Sequence, residues 1–180
     1  MAYNVAYPDS EYHEILPKLF LGGHVWQENG RIRDGRNSSV SADKTLDYVV
    51  SAYIDIFNET YPRCDTRLVI FDDTENGLTE DTWEQISSAV EEVVARWKQG
   101  QKILVRCQAG YNRSGLLMSL ILMRLGYTAD GAIELIRKLR GKDVLVNKAF
   151  ENYVHEREDE YRFPTQFAVD VANLVVADGD

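Results

Sequence analysis

Residues 102–125 constrain the fold more than any other stretch: the apolar run KILVR leads straight into CQAGYN, and that into RSGLLMSLILMRL. They read as a buried strand (102–106), a tight loop (107–112) and a central helix (114–125), apolar on every side and followed by Gly126. A strand, short loop and helix in that order gather successive backbone N–H groups and the positive end of the helix dipole around one point. Such a nest holds an anion. Its amides belong to Gln108, Ala109, Gly110, Tyr111, Asn112 and Arg113, and its first position is Cys107. The field that holds an anion also stabilises a thiolate, so Cys107 is expected to be nucleophilic at neutral pH. Arg113 is expected at the helix start, where its planar fork clasps two oxygens of a phosphoryl group in a way lysine cannot copy. Gly110 allows a positive φ and close approach of backbone to ligand. Ser114 can donate a hydrogen bond to the sulfur and ease its departure from a covalent adduct.

Around this unit the chain alternates. Segment 14–23, EILPKLFLGG, reads as a short strand or hairpin broken at Pro17-Lys18. Residues 24–45 are polar and rich in Gly, Asn, Ser and Asp, which predicts a long surface loop. Residues 46–57 read as a strand, or as a strand whose Ala-containing stretch continues into a helix, and 67–71 (RLVIF) as a strand ending at once in DDTENG. Between Thr79 and Gly100, Trp83, Ile86, Val90, Val93, Val94 and Trp97 recur at helical spacing, and Thr79 can cap the helix they define. Thr128 caps another, with Ala132, Ile133, Leu135, Ile136 and Leu139 inward, and Asn147 a last long one through Tyr161. Strands alternating with helices predict an α/β fold with a central, mostly parallel sheet flanked by helices. The 180 residues are expected to form one domain, with its core over 14–161 and a C-terminal extension over 162–180.

A net charge of -9 disfavours a broad footprint on DNA or an anionic membrane, while leaving room for a local basic pocket. Two cysteines are too few for a disulfide framework, and MAYNVAYPDSEYHE lacks the features of a signal peptide, so a cytoplasmic setting is expected. Three scattered histidines and two cysteines form no zinc spacing; neither a metal nor a cofactor is expected. The most apolar run, 116–123, is short of the roughly 20 residues that cross a membrane.

With C-x2-G-x2-R-S in VRCQAGYNRSG, the chain resembles the cysteine-dependent tyrosine and dual specificity phosphatase superfamily, whose signature is H-C-x5-R-[ST]. EILPKLFLGG is similar to the opening segment of dual specificity domains, FDDTENG to their general-acid loop, and RKLRGKDVLVNKAFENYV to the segment after their central helices. The resemblance implies metal-independent hydrolysis of phosphate monoesters, in phosphorylated proteins or peptides, through a phosphocysteine on Cys107. It implies an upstream aspartate that acts as acid and then base. Asp73, before the Thr in DDT, is the choice for that residue, with Asp72 its rival; the plainer reading is that both acids solvate a strand end. Arg106 stands where the family has histidine, and is expected to keep a positive charge near the sulfur. The Asn-Arg pair in GYNRSG is also similar to superfamily members acting on RNA 5′ phosphates. A silent phosphate-binding module needs only the nest and Arg113, and sulfur or arsenate transfer on a similar loop needs no aspartate.

Other residues admit two readings. Tyr111 either lines the substrate entrance or packs; the basic run Arg137, Lys138, Arg140 and Lys142 either receives an acidic substrate or solvates a helix. Asn147 caps a helix or touches the site, and Cys64 is a candidate disulfide partner for Cys107. His13, His24 and His155 read as surface or packing residues.

Overall fold

In a computed structural model of the chain, described over residues 8–34, 46–53, 65–74, 76 and 78–162, the apolar run around Leu104 forms a strand buried at every position. This strand, β7 (Ile103–Cys107), lies at the middle of a five-stranded sheet. On one side it pairs in parallel with β2 (Leu19–Gly23), which is joined to β1 (Tyr12–Leu16) by an antiparallel hairpin turning at Pro17-Lys18. On the other it pairs in parallel with β5 (Tyr48–Ser51), and β5 with β6 (Asp65–Leu68). The sheet is therefore parallel except at β1, as expected. Alternation of side chains splits the sheet into two apolar faces. Leu19, Leu21, Tyr48, Val50, Ile103, Val105 and Cys107 join the main core, which takes residues from all five helices. Val49 and Leu104 join a smaller cluster on the opposite face.

The helices start where side chains can satisfy their first amides. Thr79 and Thr82 form a reciprocal capping box for α1 (Glu80–Lys98), Thr128 caps α3 (Ala129–Arg140), and Asn147 caps α4 (Lys148–Glu156) through Ala149 and Phe150. Helix α2 (Arg113–Arg124) is buried from Ser114 to Met123. Its Arg124 is tied to Glu91 of α1 by two charge-assisted bonds, Nε to Oε1 at 2.5 Å and the other guanidinium arm to Oε2 at 2.9 Å.

Several expectations need correction. Residues 24–34 are not loop: β3 (Val25–Glu28) and β4 (Arg31–Asp34) form a separate hairpin. It turns at Asn29 and Gly30, with φ of 50° and 74°, the pairing that a two-residue hairpin turn requires. Residues 35–45 of the expected loop, 54–57 of the expected strand, Cys64 and the tail from 163 lie outside the described residues. Strand β6 begins two residues before Arg67 and ends at Leu68, with the Val69 N–H still donating to the Ser51 carbonyl (3.0 Å) and Val69 and Phe71 buried beyond it. The long last helix is two: α4 stops before Arg157, and α5 (Glu158–Arg162) then buries Tyr161 against Trp83, ring centroids 5.7 Å apart. Leu139, expected inward, is 38% exposed. Among the described residues no helix is long and apolar enough to cross a membrane.

Candidate active site

The loop between β7 and α2 is gripped from outside, carbonyl by carbonyl. The backbone N–H of His24 donates to the carbonyls of Cys107 (3.2 Å) and Gln108 (2.7 Å), and that of Val25 to Gln108 (3.0 Å). Arg140 donates to Ala109 (3.0 Å) and, through Nε, to Gly110 (2.9 Å), and Leu145 N–H donates to Tyr111 (3.2 Å). No peptide bond among them is cis. In a trans peptide the N–H of the next residue points opposite to the carbonyl. Five carbonyls drawn outward therefore turn the amides of residues 108–112 the other way, which is the nest expected of this loop.

The turn is possible because two glycines leave room for it. Gly110 has a φ of 75°, and a Cβ there would come within 2.4 Å of both the Arg140 guanidinium and the Gly22 carbonyl oxygen. A Cβ on Gly23, at the end of β2, would meet the Ala109 backbone at 2.4 Å. Helix α2 has neither a side-chain cap nor an acidic residue in its first turn. Its dipole end thus faces the loop uncompensated.

Into this frame come the residues expected from sequence. Cys107 is buried, with Sγ 3.2 Å from Ser114 Oγ. Arg113 opens α2; its Nε is buried and has no hydrogen-bond partner among the described residues. Asp73 reaches the same loop: its carboxylate accepts from Asn112 Nδ2 at 3.0 Å and Asn147 Nδ2 at 2.9 Å. Asn112 Oδ1 takes the backbone N–H of Asn147 (3.0 Å) and Asn147 Oδ1 takes that of Ala149 (3.0 Å), so both amides are oriented with their NH2 groups toward Asp73. Asp72 is exposed instead. Gln108, Ala109, Gly110, Tyr111 and Asn112 supply the loop, as expected, but the Tyr111 side chain packs in the main core, where burial pushes its hydroxyl up to about 12.

Three features differ from expectation. Arg106 is buried on β7 next to Cys107, but strand alternation turns its side chain to the opposite face of the sheet, so its charge is not directed at the sulfur. The basic run is not a uniform surface: Arg137 is bound to the carbonyls of Val144 and Leu145, and Lys138 and Lys142 line a groove shared with Asp130, Glu134 and Glu151. Arg140, which the sequence assigned to that run, is 4% exposed and serves the loop, its remaining arm meeting His13 Nδ1 at 3.0 Å and the Ser10 carbonyl at 3.4 Å. Burial pulls Arg140 down to about 10, which leaves it charged at neutral pH. Its position continues the stripe of Ala129, Ala132, Ile133 and Ile136 along α3, a signal that an arginine there would be inward. His24, read as ordinary packing, is the residue whose backbone anchors the start of the loop. Among the described residues no group of three or more His, Cys, Asp or Glu could hold a metal.

A buried thiol at the start of an anion nest, an arginine at the following helix and a carboxylate tied to the same loop define, on this fold, a cysteine-dependent phosphatase. The family model for the dual specificity phosphatase catalytic domain matches residues 35–160, and the chain belongs to that family. Among solved structures, human DUSP28 is 18% identical with a TM-score of 0.68, covering 86% of this chain and 97% of its own. The human tyrosine phosphatase-like serine/threonine/tyrosine-interacting protein is 18% identical with a TM-score of 0.65, covering 83% and 97%. PTPMT1 in complex with PI(5)P is 15% identical with a TM-score of 0.62, covering 95% and 100%. At these identities the likenesses speak to the fold alone. No curated protein matches the chain.

Proposed function

We propose that the chain hydrolyses phosphate monoesters in proteins, phosphotyrosine first and phosphoserine or phosphothreonine next, through a phosphocysteine intermediate. The Cys107 thiolate attacks phosphorus in line while the ester oxygen leaves with a proton from Asp73. Water then attacks the phosphocysteine, the Asp73 carboxylate takes its proton, and the thiolate departs with the Ser114 hydroxyl hydrogen-bonded to it. Arg113 and the loop amides hold the three equatorial oxygens throughout, stabilising the charge that develops on them. The observation that carries this reading is the set of five outward-held carbonyls, which supports it by turning the opposite amides away from those partners, as a nest for an anion needs.

The test is turnover of a generic aryl phosphate with a chelator present, beside a Cys107→Ser control, followed by a panel of phosphopeptides, phosphoinositides and RNA 5′ ends. Turnover that survives chelation, is lost in the control and is fastest on phosphotyrosine peptides is the expected result. Equal rates for the control, or phosphate binding without turnover, refute the enzymatic reading; a faster RNA or lipid substrate refutes the proposed substrate.

A further inference from the structure

The guanidinium that meets the phosphate needs something to hold it, and among the described residues no carboxylate does so. Arg113 takes part in no ion pair or hydrogen bond there, and its buried Nε has no partner. Among the described residues it lies against an aromatic face: the Cζ is 5.3 Å from the centre of the Tyr53 ring, inside the roughly 6 Å at which a cation and a π face attract. Tyr53 is half-buried against the main core and stands just past the end of β5. Its backbone is pinned there. Ala52 N–H donates to the Arg106 carbonyl at 2.7 Å, and the Tyr53 carbonyl accepts from the buried Ser51 hydroxyl at 3.0 Å. The ring also meets His24, centroids 5.6 Å apart, and His24 is the residue whose N–H holds the first loop carbonyls.

We infer that Tyr53 is a positioning residue for Arg113, fixing the phosphate-binding guanidinium through its π face. This rests on the proposed function in one respect only, that Arg113 binds phosphate. The choice of partner has a chemical consequence. A carboxylate partner would fix the arginine but neutralise its charge and occupy two of its donors. An aromatic face orients the guanidinium plane while leaving its charge and every donor for a dianion.

Binding of inorganic phosphate to the full chain, followed by NMR titration, tests this. Tyr53→Phe keeps the ring and is expected to bind phosphate as the wild type does. Tyr53→Leu is expected to weaken binding by about three- to thirtyfold, the range a cation–π contact spans. In an Arg113→Lys background, where the planar fork is gone, the same Tyr53→Leu change should have a much smaller effect. Tyr53→pentafluorophenylalanine keeps the shape but removes the negative π face, so it should weaken binding like Tyr53→Leu, and it serves even where Tyr53→Leu does not fold. Undiminished binding in the fluorinated variant, or an equal loss in both backgrounds, overturns the assignment. A wild-type chain that binds no phosphate, or an Arg113→Lys variant that binds it unchanged, instead overturns the reading of Arg113.

Discussion

Replacing Arg140 with methionine separates what the loop needs for stability from what it needs for binding. Methionine keeps most of the buried stem but removes the donors to Gly110 and Ala109, at 2.9 and 3.0 Å, and those to His13 and Ser10. Two loop carbonyls lose their partner, at about 1–3 kcal/mol each if they stay buried. Against that, the variant no longer buries a charge, whose desolvation costs several kcal/mol. The two effects oppose, so the net loss of folding stability should be modest, about 1–3 kcal/mol. Binding has no such offset. The Ala109 and Gly110 carbonyls set the direction of the Gly110 and Tyr111 amides, and each hydrogen bond to a charged group is worth about 1.5–3 kcal/mol. Releasing both should weaken phosphate by roughly a hundredfold or more, at 1.4 kcal/mol per decade. Arg140→Lys, with one point charge in place of a fork, should fall between. Urea unfolding gives the first quantity and competition by inorganic phosphate in an aryl phosphate assay the second. An Arg140→Met variant that binds phosphate within threefold of the wild type, with its stability reduced as stated, refutes the claim that the carbonyl grip aims the amides.

Asp73→Asn should lower kcat by about 10²–10⁴-fold with KM little changed, and the loss should shrink as the leaving group improves, since a good leaving group needs no proton. Asp72→Asn, at an exposed position, should behave like the wild type; the reverse pattern would transfer the role. His13 is held below its ordinary value of 6.5 by burial and by the Arg140 charge, with Asp9 pulling the other way. The unfolded chain therefore takes up a proton near pH 6.5 that the folded chain does not, so this group's share of stability falls as pH drops below 6.5. Thermal melting from pH 7.5 to 5 should show a steeper decline for the wild type than for His13→Gln. Arg124→Ala should cost about 3–5 kcal/mol in urea unfolding by leaving Glu91 buried without its partner, and Glu91→Leu added to Arg124→Met should recover much of that loss.

The nest, its cysteine and its arginine were legible because they are local: one strand, one tight turn and one helix fix them, and each leaves its own pattern. Asp73 was singled out through resemblance, and nothing in the sequence pointed to the tether that brings it to the loop. Asn112 and Asn147 lie 39 and 74 residues from Asp73, and no spacing rule links three loops that meet only after the sheet has formed. The β3–β4 hairpin was missed although Asn29-Gly30 stands between VWQE and RIRD, because overall polarity was given more weight than the turn dipeptide. Arg140 was missed for a related reason. Charge grouped it with a surface run that either solvates a helix or receives an acidic substrate, whereas its place on the α3 stripe carried the better information.

The acidic character of the whole chain and the anion binding proposed for this loop do not conflict, because they act through different media. Exposed carboxylates are screened by salt within about 8 Å at physiological ionic strength. Arg140 is buried behind the loop, where screening is weak, and its charge reaches the site through the carbonyl dipoles it holds as well as directly. Arg113 faces the same point from the start of α2, with its donors uncommitted among the described residues. Burying the Arg140 guanidinium without an ion pair among the described residues carries a desolvation cost, which its hydrogen bonds to the loop carbonyls offset. What Arg140 supplies there is geometry: two peptide planes held in the orientation that the proposed anion beside Cys107 would need. The net charge of -9 therefore says little about what this site can bind.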